Sequence, residues 1–221
     1  MPREQFQRQL AALQDGILEM GSMVDRAIER SMQSLFDRDV ELARVIIEED
    51  NDINSIGFHL QNQCISLLAQ QGPMAGDLRL IVSVTSITSE LERMGDHGKG
   101  IAKCVVMMQD EPLVKPLIDI PTMATIARRM LREAVQAFVD QDVDAAYKVG
   151  ESDDEVDHLY DQVYADLIQI MIGDQTTIEP STHLLWVAHN LERIADRATN
   201  IAERTVYSAT GMLPQMDVSM Y

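Results

Sequence analysis

Apolar residues recur along this chain at three- and four-residue steps, as in Ile87, Leu91, Met94, Ile101 and Val105, and again in Val187, Leu191, Ile194, Ala198 and Ile201. That spacing follows the period of an amphipathic helix and lays one apolar stripe along its face. No segment alternates with period two. The seven prolines, Pro2, Pro73, Pro112, Pro116, Pro121, Pro180 and Pro214, mark helix ends, because proline inside a helix costs about 3 kcal/mol. They leave proline-free stretches at 3–72, 74–111, 122–179 and 181–213. The first and third are too long for one globular helix, and each contains an acidic break suited to a turn and a helix cap, at Asp37–Asp39 and Asp140–Asp142. The pattern predicts six helices at 4–36, 40–70, 75–109, 121–139, 143–173 and 180–210. The segment DEPLVKPLIDI at 110–120 reads as the connector between two halves.

Those halves repeat. LERMGDHGKGIAK at 91–103 aligns without gaps to LERIADRATNIAE at 191–203, with six identities in thirteen positions. Upstream, FDRDVELARVIIEEDNDIN at 36–54 matches the segment from Phe138 that ends at Asp157, at an offset of 102 to 103. A tandem duplication accounts for both matches. The expected fold is all-α: two tandem antiparallel three-helix bundles related by a pseudo-two-fold repeat, the first over 1–111 and the second over 119–212.

Composition narrows the function more than the fold. Apolar residues make up 46% and charged residues 24%, enough to bury a core. The 36 acidic against 18 basic residues give a formal net charge of −18. That surface argues against a nucleic-acid partner or an anionic membrane, both of which need clustered Lys and Arg. Cys64 and Cys104, set among apolar residues, are expected to be small core residues in a reducing compartment. The charged start MPREQFQRQL and the lack of any long apolar run point to a cytoplasmic chain without membrane insertion.

The aligned segments share identical polar residues: Glu92, Arg93 and Asp96 in one half, Glu192, Arg193 and Asp196 in the other. Acids four apart lie about 40° apart around a helix, away from the apolar stripe, so their carboxylates can converge. Like charges so placed cost a helix about 0.2–0.5 kcal/mol, a sign that a bound cation reverses. The preceding helix carries a second pair, Asp153 and Asp157, which corresponds to Asp50 and Asn54. Counted from turns near 74 and 176, antiparallel packing brings the pairs to within about one helical turn in height. Oxygen ligands on facing helices suit a hard or borderline divalent metal. The candidate ligands are Asp50, Glu92 and Asp96 in the first half, and Asp153, Asp157, Glu192 and Asp196 in the second, with Asn200 and Glu203 expected nearby. Asn54, Lys99 and Lys103 make the first half the weaker site. The alternative reading of each pair is a solvated acidic face with ordinary salt bridges.

LERMGDHGKGIA and LERIADRATNIAE resemble the two copies of the third-helix motif of the PhoU family, and DNDIN at 50–54 and DDEVD at 153–157 resemble its second-helix partner. GPMAGDLRLIVSV at 72–84 is similar to the family's turn into the third helix. The departures are Asn54 for an acid, Gly100 where Asn is more common, and Ala195 where Gly is usual. The resemblance implies a cytoplasmic adaptor, often a homodimer, that passes phosphate sufficiency from the ATPase subunit of the Pst phosphate transporter to the sensor histidine kinase PhoR, and so keeps the PhoB regulator unphosphorylated. It implies negative regulation of phosphate uptake and of the starvation response. It implies no catalysis, and divalent metal (Fe, Zn, Mn or Mg) in some members. Arg93 and Arg193 are expected to orient the carboxylates or bind backbone oxygens, in preference to binding phosphate. Two rivals remain: a metal-free helical adaptor, and a carboxylate-bridged di-iron enzyme or metal store. The second requires Glu-x-x-His steps, of which Glu155 to His158 is the candidate.

Overall fold

A computed structural model describes residues 2–109 and 113–216. Seven α-helices run in order: α1 (Pro2–Asp37), α2 (Val40–Gln71), α3 (Ala75–Met108), α4 (Asp119–Asp140), α5 (Val143–Glu151), α6 (Asp153–Gly173) and α7 (Ile178–Thr210), with a 3-10 turn at Gln175–Thr177 before the last. There is no strand among the described residues. Residues 110–112 of the predicted connector lie outside them; Lys115, further along it, ties the connector to α6 through Asp166 at 2.6 Å.

The acidic breaks form as the sequence implies. Arg38 and Gln141 turn into the left-handed region, with φ of 54° and 53°, and the next backbone N–H donates five residues back, Asp39 to Ser34 and Asp142 to Ala137, at 2.9 Å each. Asp39 and Asp142 then cap the following helices by accepting from the N–H of Leu42 and Ala145 at 2.9 and 3.0 Å. The two repeats thus share a turn conformation as well as a sequence pattern. Gly72, at φ 53°, ends α2 in the left-handed geometry that glycine adopts without a Cβ clash.

The fifth predicted helix is interrupted where α2 is continuous. At Ser152 the backbone N–H donates to the carbonyl of Val149, three residues back, at 3.1 Å, and the hydroxyl returns to Lys148 O at 3.1 Å. Gly150 and Ser152 are weak helix formers, and Asp153, Asp154 and Glu155 favour the positive end of a new helix. The bend places Asp153 at the head of α6.

α3 and α7 pack along each other at the centre. α1 and α2 flank α3, while α4, α5 and α6 flank α7, and α1 meets α4. All ten residues of the two stripes are buried. Asp25 on α1 binds α4 through Arg128 Nε at 2.7 Å, Arg128 Nη2 at 3.1 Å and Arg132 Nη1 at 3.2 Å. Cys64 and Cys104 are buried free thiols, and burial pushes Cys104 up to about 11, which keeps it protonated.

Candidate metal centre

The second repeat gathers its acids between the bend and α7. Asp153 stands at the first residue of α6 and Asp157 one turn later, while α7 presents Asp196 from the facing side. One carboxylate oxygen from each of the three lies within 4.8 Å of the others; Asp153 and Asp196 are buried and Asp157 is half-buried. Glu192, the fourth predicted acid of this repeat, is half-buried one turn before Asp196 and stands outside the three-oxygen cluster. Burial, followed by the charge of Asp196, raises its carboxyl to about 7, with Asp157 adding to the rise and Arg193 opposing it.

Arg193 lies against these carboxylates, with Nη1 2.6 Å from Asp196 Oδ2 and 3.6 Å from Glu192 Oε1. Arg93, its counterpart, is exposed. Two neighbours escaped the sequence reading. His189 Nδ1 lies 3.4 Å from Glu192 Oε2, and burial, then Arg193, lowers its pKa. The Tyr160 ring is 6.2 Å from that of His189, and burial, then the Glu192 charge, raises its hydroxyl pKa. The signal was there in the one-turn steps from Asp157 to Tyr160 and from His189 to Glu192, but neither residue type stands out among helical residues. Conversely, Asn200 and Glu203 are engaged elsewhere: Asn200 Nδ2 donates to Glu90 at 3.3 Å, and Glu203 accepts the backbone N–H of Met216 at 2.7 Å.

The first repeat is arranged differently. Asp50 is buried, and its Oδ2 accepts from Lys99 Nζ at 2.7 Å and from Asn54 Nδ2 at 3.1 Å. The Asp50 bond raises the Lys99 pKa, holding the ammonium charged. Asp96 is exposed, 3.8 Å from the same ammonium; Glu92 is half-buried and Lys103 exposed. Among the described residues, only the second repeat forms a three-carboxylate cluster.

Glu155 and His158 do not join either group. Glu155 is exposed, 3.8 Å from Arg129, and the exposed His158 bonds Gln162 at 2.9 Å. Of the other histidines, His59 bonds Gln63 and His97 bonds Asn190, each at 2.9 Å. His183 is buried against Trp186, its Nδ1 without a hydrogen-bond partner among the described residues.

A family model for the PhoU domain matches the chain twice, over residues 17–105 and 120–205. The chain belongs to the PhoU family. The phosphate-specific transport system accessory protein PhoU homolog of Clostridium acetobutylicum is 36% identical over 212 residues, 96% of this chain and 97% of that protein. The homolog from Aquifex aeolicus is 36% identical over 204 residues, 92% of each chain. The crystal structure of the phosphate transport system regulatory protein PhoU from Streptococcus pneumoniae superposes with a TM-score of 0.89 at 32% identity, covering 95% of this chain and 99% of that one. PhoU from Pseudomonas aeruginosa gives 0.90 at 30% identity, covering 94% and 100%. The PhoU fold thus accounts for both repeats.

Proposed function

We propose that this chain is a cytoplasmic negative regulator of phosphate uptake and of the phosphate-starvation response, acting as an adaptor between the ATPase subunit of a phosphate transporter and a sensor histidine kinase of the PhoR kind. The carrying observation is the doubled PhoU match, supported by near-full-length relatives named as phosphate transport accessory or regulatory proteins. No described helix is long and apolar enough to cross a membrane. On this reading the chain works by binding and is not an enzyme. Its exposed apolar side chains, among them Phe58, Ile65 and Met74 on and beside α2, suit self-association as a homodimer. Deleting the gene should derepress phosphate-starvation genes in phosphate-rich medium, and unchanged reporter expression would refute the assignment.

Asp153, Asp157 and Asp196, with Glu192 at the rim, hold a divalent cation in this reading, with Fe, Zn, Mn and Mg as the candidates. The fit rests on donor chemistry: converging carboxylate oxygens from three acids, two of them buried. A bound ion would offset the mutual repulsion of these acids and tie the head of α6 to α7. The exposure of Glu155 and His158 weighs against the di-iron alternative. Metal analysis of protein purified without chelator tests the site, and a metal-free result would favour the metal-free adaptor.

A further inference from the structure

The first-repeat residues do not fit a divalent ion. The gapless alignment places Lys99 opposite Thr199, and the upstream match places Asn54 opposite Asp157. In the second repeat position 199 is a buried hydroxyl whose Oγ1 has no hydrogen-bond partner among the described residues. In the first repeat the equivalent position sends an ammonium onto the buried Asp50, at 2.7 Å, and to within 3.8 Å of Asp96. Asn54 turns a hydrogen-bond donor, where the second repeat has an acid, towards the same carboxylate.

The surroundings are balanced in charge as well. A cavity of about 230 Å³ opens beside the pair, lined by Arg26, Arg30 and Lys99 against Glu49, Asp50 and Asp52. Arg30 is bonded to Glu49. Asp50 Oδ1 is left open as an acceptor, buried and without a hydrogen bond among the described residues; a single oxygen beside an ammonium is not a divalent site.

We infer that Lys99 serves as the built-in cation of the first repeat, standing where the second repeat would hold a divalent ion, so that the chain carries one exchangeable metal site instead of two. The count of one rests on the metal reading above. An ammonium tethered to the chain cannot be stripped by chelator, so Lys99 on α3 compensates Asp50 on α2 at any metal supply, whereas Arg193 pairs with Asp196 on its own helix, α7.

Equilibrium dialysis against Mn²⁺ followed by metal analysis tests the count, with circular dichroism to confirm that each variant is folded. The wild-type chain should hold one ion, Asp153→Asn/Asp196→Asn none, Asp50→Asn one, and Lys99→Thr/Asn54→Asp two. The inference is overturned by a wild-type count of two that drops to one in Asp50→Asn, or by a folded Lys99→Thr/Asn54→Asp that stays at one. A wild-type count of zero refutes the metal reading alone, and melting in chelator then decides the role of Lys99. Lys99→Met should melt several degrees below wild type while Lys99→Arg, which keeps the charge, does not; equal melting of Lys99→Met and wild type overturns it.

Discussion

Asn190 Oδ1 lies 2.7 Å from the point where a Cβ on Gly100 would stand, so the two residues close the α3–α7 seam by fitting a side chain into the space a missing one leaves. The same amide oxygen accepts from His97 Nδ1 at 2.9 Å, while its nitrogen donates to Trp186 O at 2.7 Å. A hundred residues away in each case, Glu90 accepts from Arg197 at 3.4 Å and from Asn200 at 3.3 Å. The pseudo-two-fold axis therefore reuses three positions with different chemistry. Gly100 makes room for Asn190.

Gly100→Ala should destabilise the chain, although alanine favours an isolated helix by about 1 kcal/mol. The methyl group displaces Asn190 and breaks its bond with His97. A melting temperature lowered by a few degrees, with the His97 titration moved further down once the Asn190 bond that raises it is lost, is the expected result. A variant as stable as wild type would show that the seam yields.

In metal-free protein, stability should fall as pH rises from about 4.5 to about 7. Glu192 has a native pKa raised from 4.5 to about 7, so across that window the native state binds a proton that the unfolded state has released. A tenfold difference in proton affinity between the two states corresponds to about 1.4 kcal/mol, and the loss over the whole window is on the order of a few kcal/mol. Urea unfolding at a series of pH values measures the slope, and Glu192→Gln should flatten it.

Mn²⁺ should raise the melting temperature of the chelated wild type. At a hundredfold excess over Kd the linkage is about 2.7 kcal/mol, and Asp153→Asn/Asp196→Asn should abolish it. A shift that survives the double substitution would place the ion elsewhere.

Asp25→Asn should cost about 1–2 kcal/mol, because the carboxylate is largely shielded from solvent and joins α1 to α4 through a bidentate arginine. A double-mutant cycle with Arg128→Ala separates this pair from the weaker Arg132 contact. A coupling energy near zero would reduce the bridge to a solvated surface pair.

Much of the architecture was legible in the chain itself, because it depends on neighbours within a turn or two. Prolines bounded the helices, Asp39 and Asp142 announced their caps, the apolar steps named the stripe residues, and the repeated LER-x-x-D segments exposed both the duplication and the acid pairs. Tertiary packing decided the rest. Asp96 and Asp196 occupy equivalent positions, yet one is exposed, 3.8 Å from Lys99, and the other is buried, 2.6 Å from Arg193. The bend at Ser152, the capture of Asn200 by Glu90 and the hold of Glu203 on Met216 likewise depend on partners distant in sequence or on the sum of several weak local preferences. Helical periodicity records which side of a helix a residue occupies. Whether its charge meets another acid, a lysine or solvent depends on the reach of side chains from the helices packed beside it.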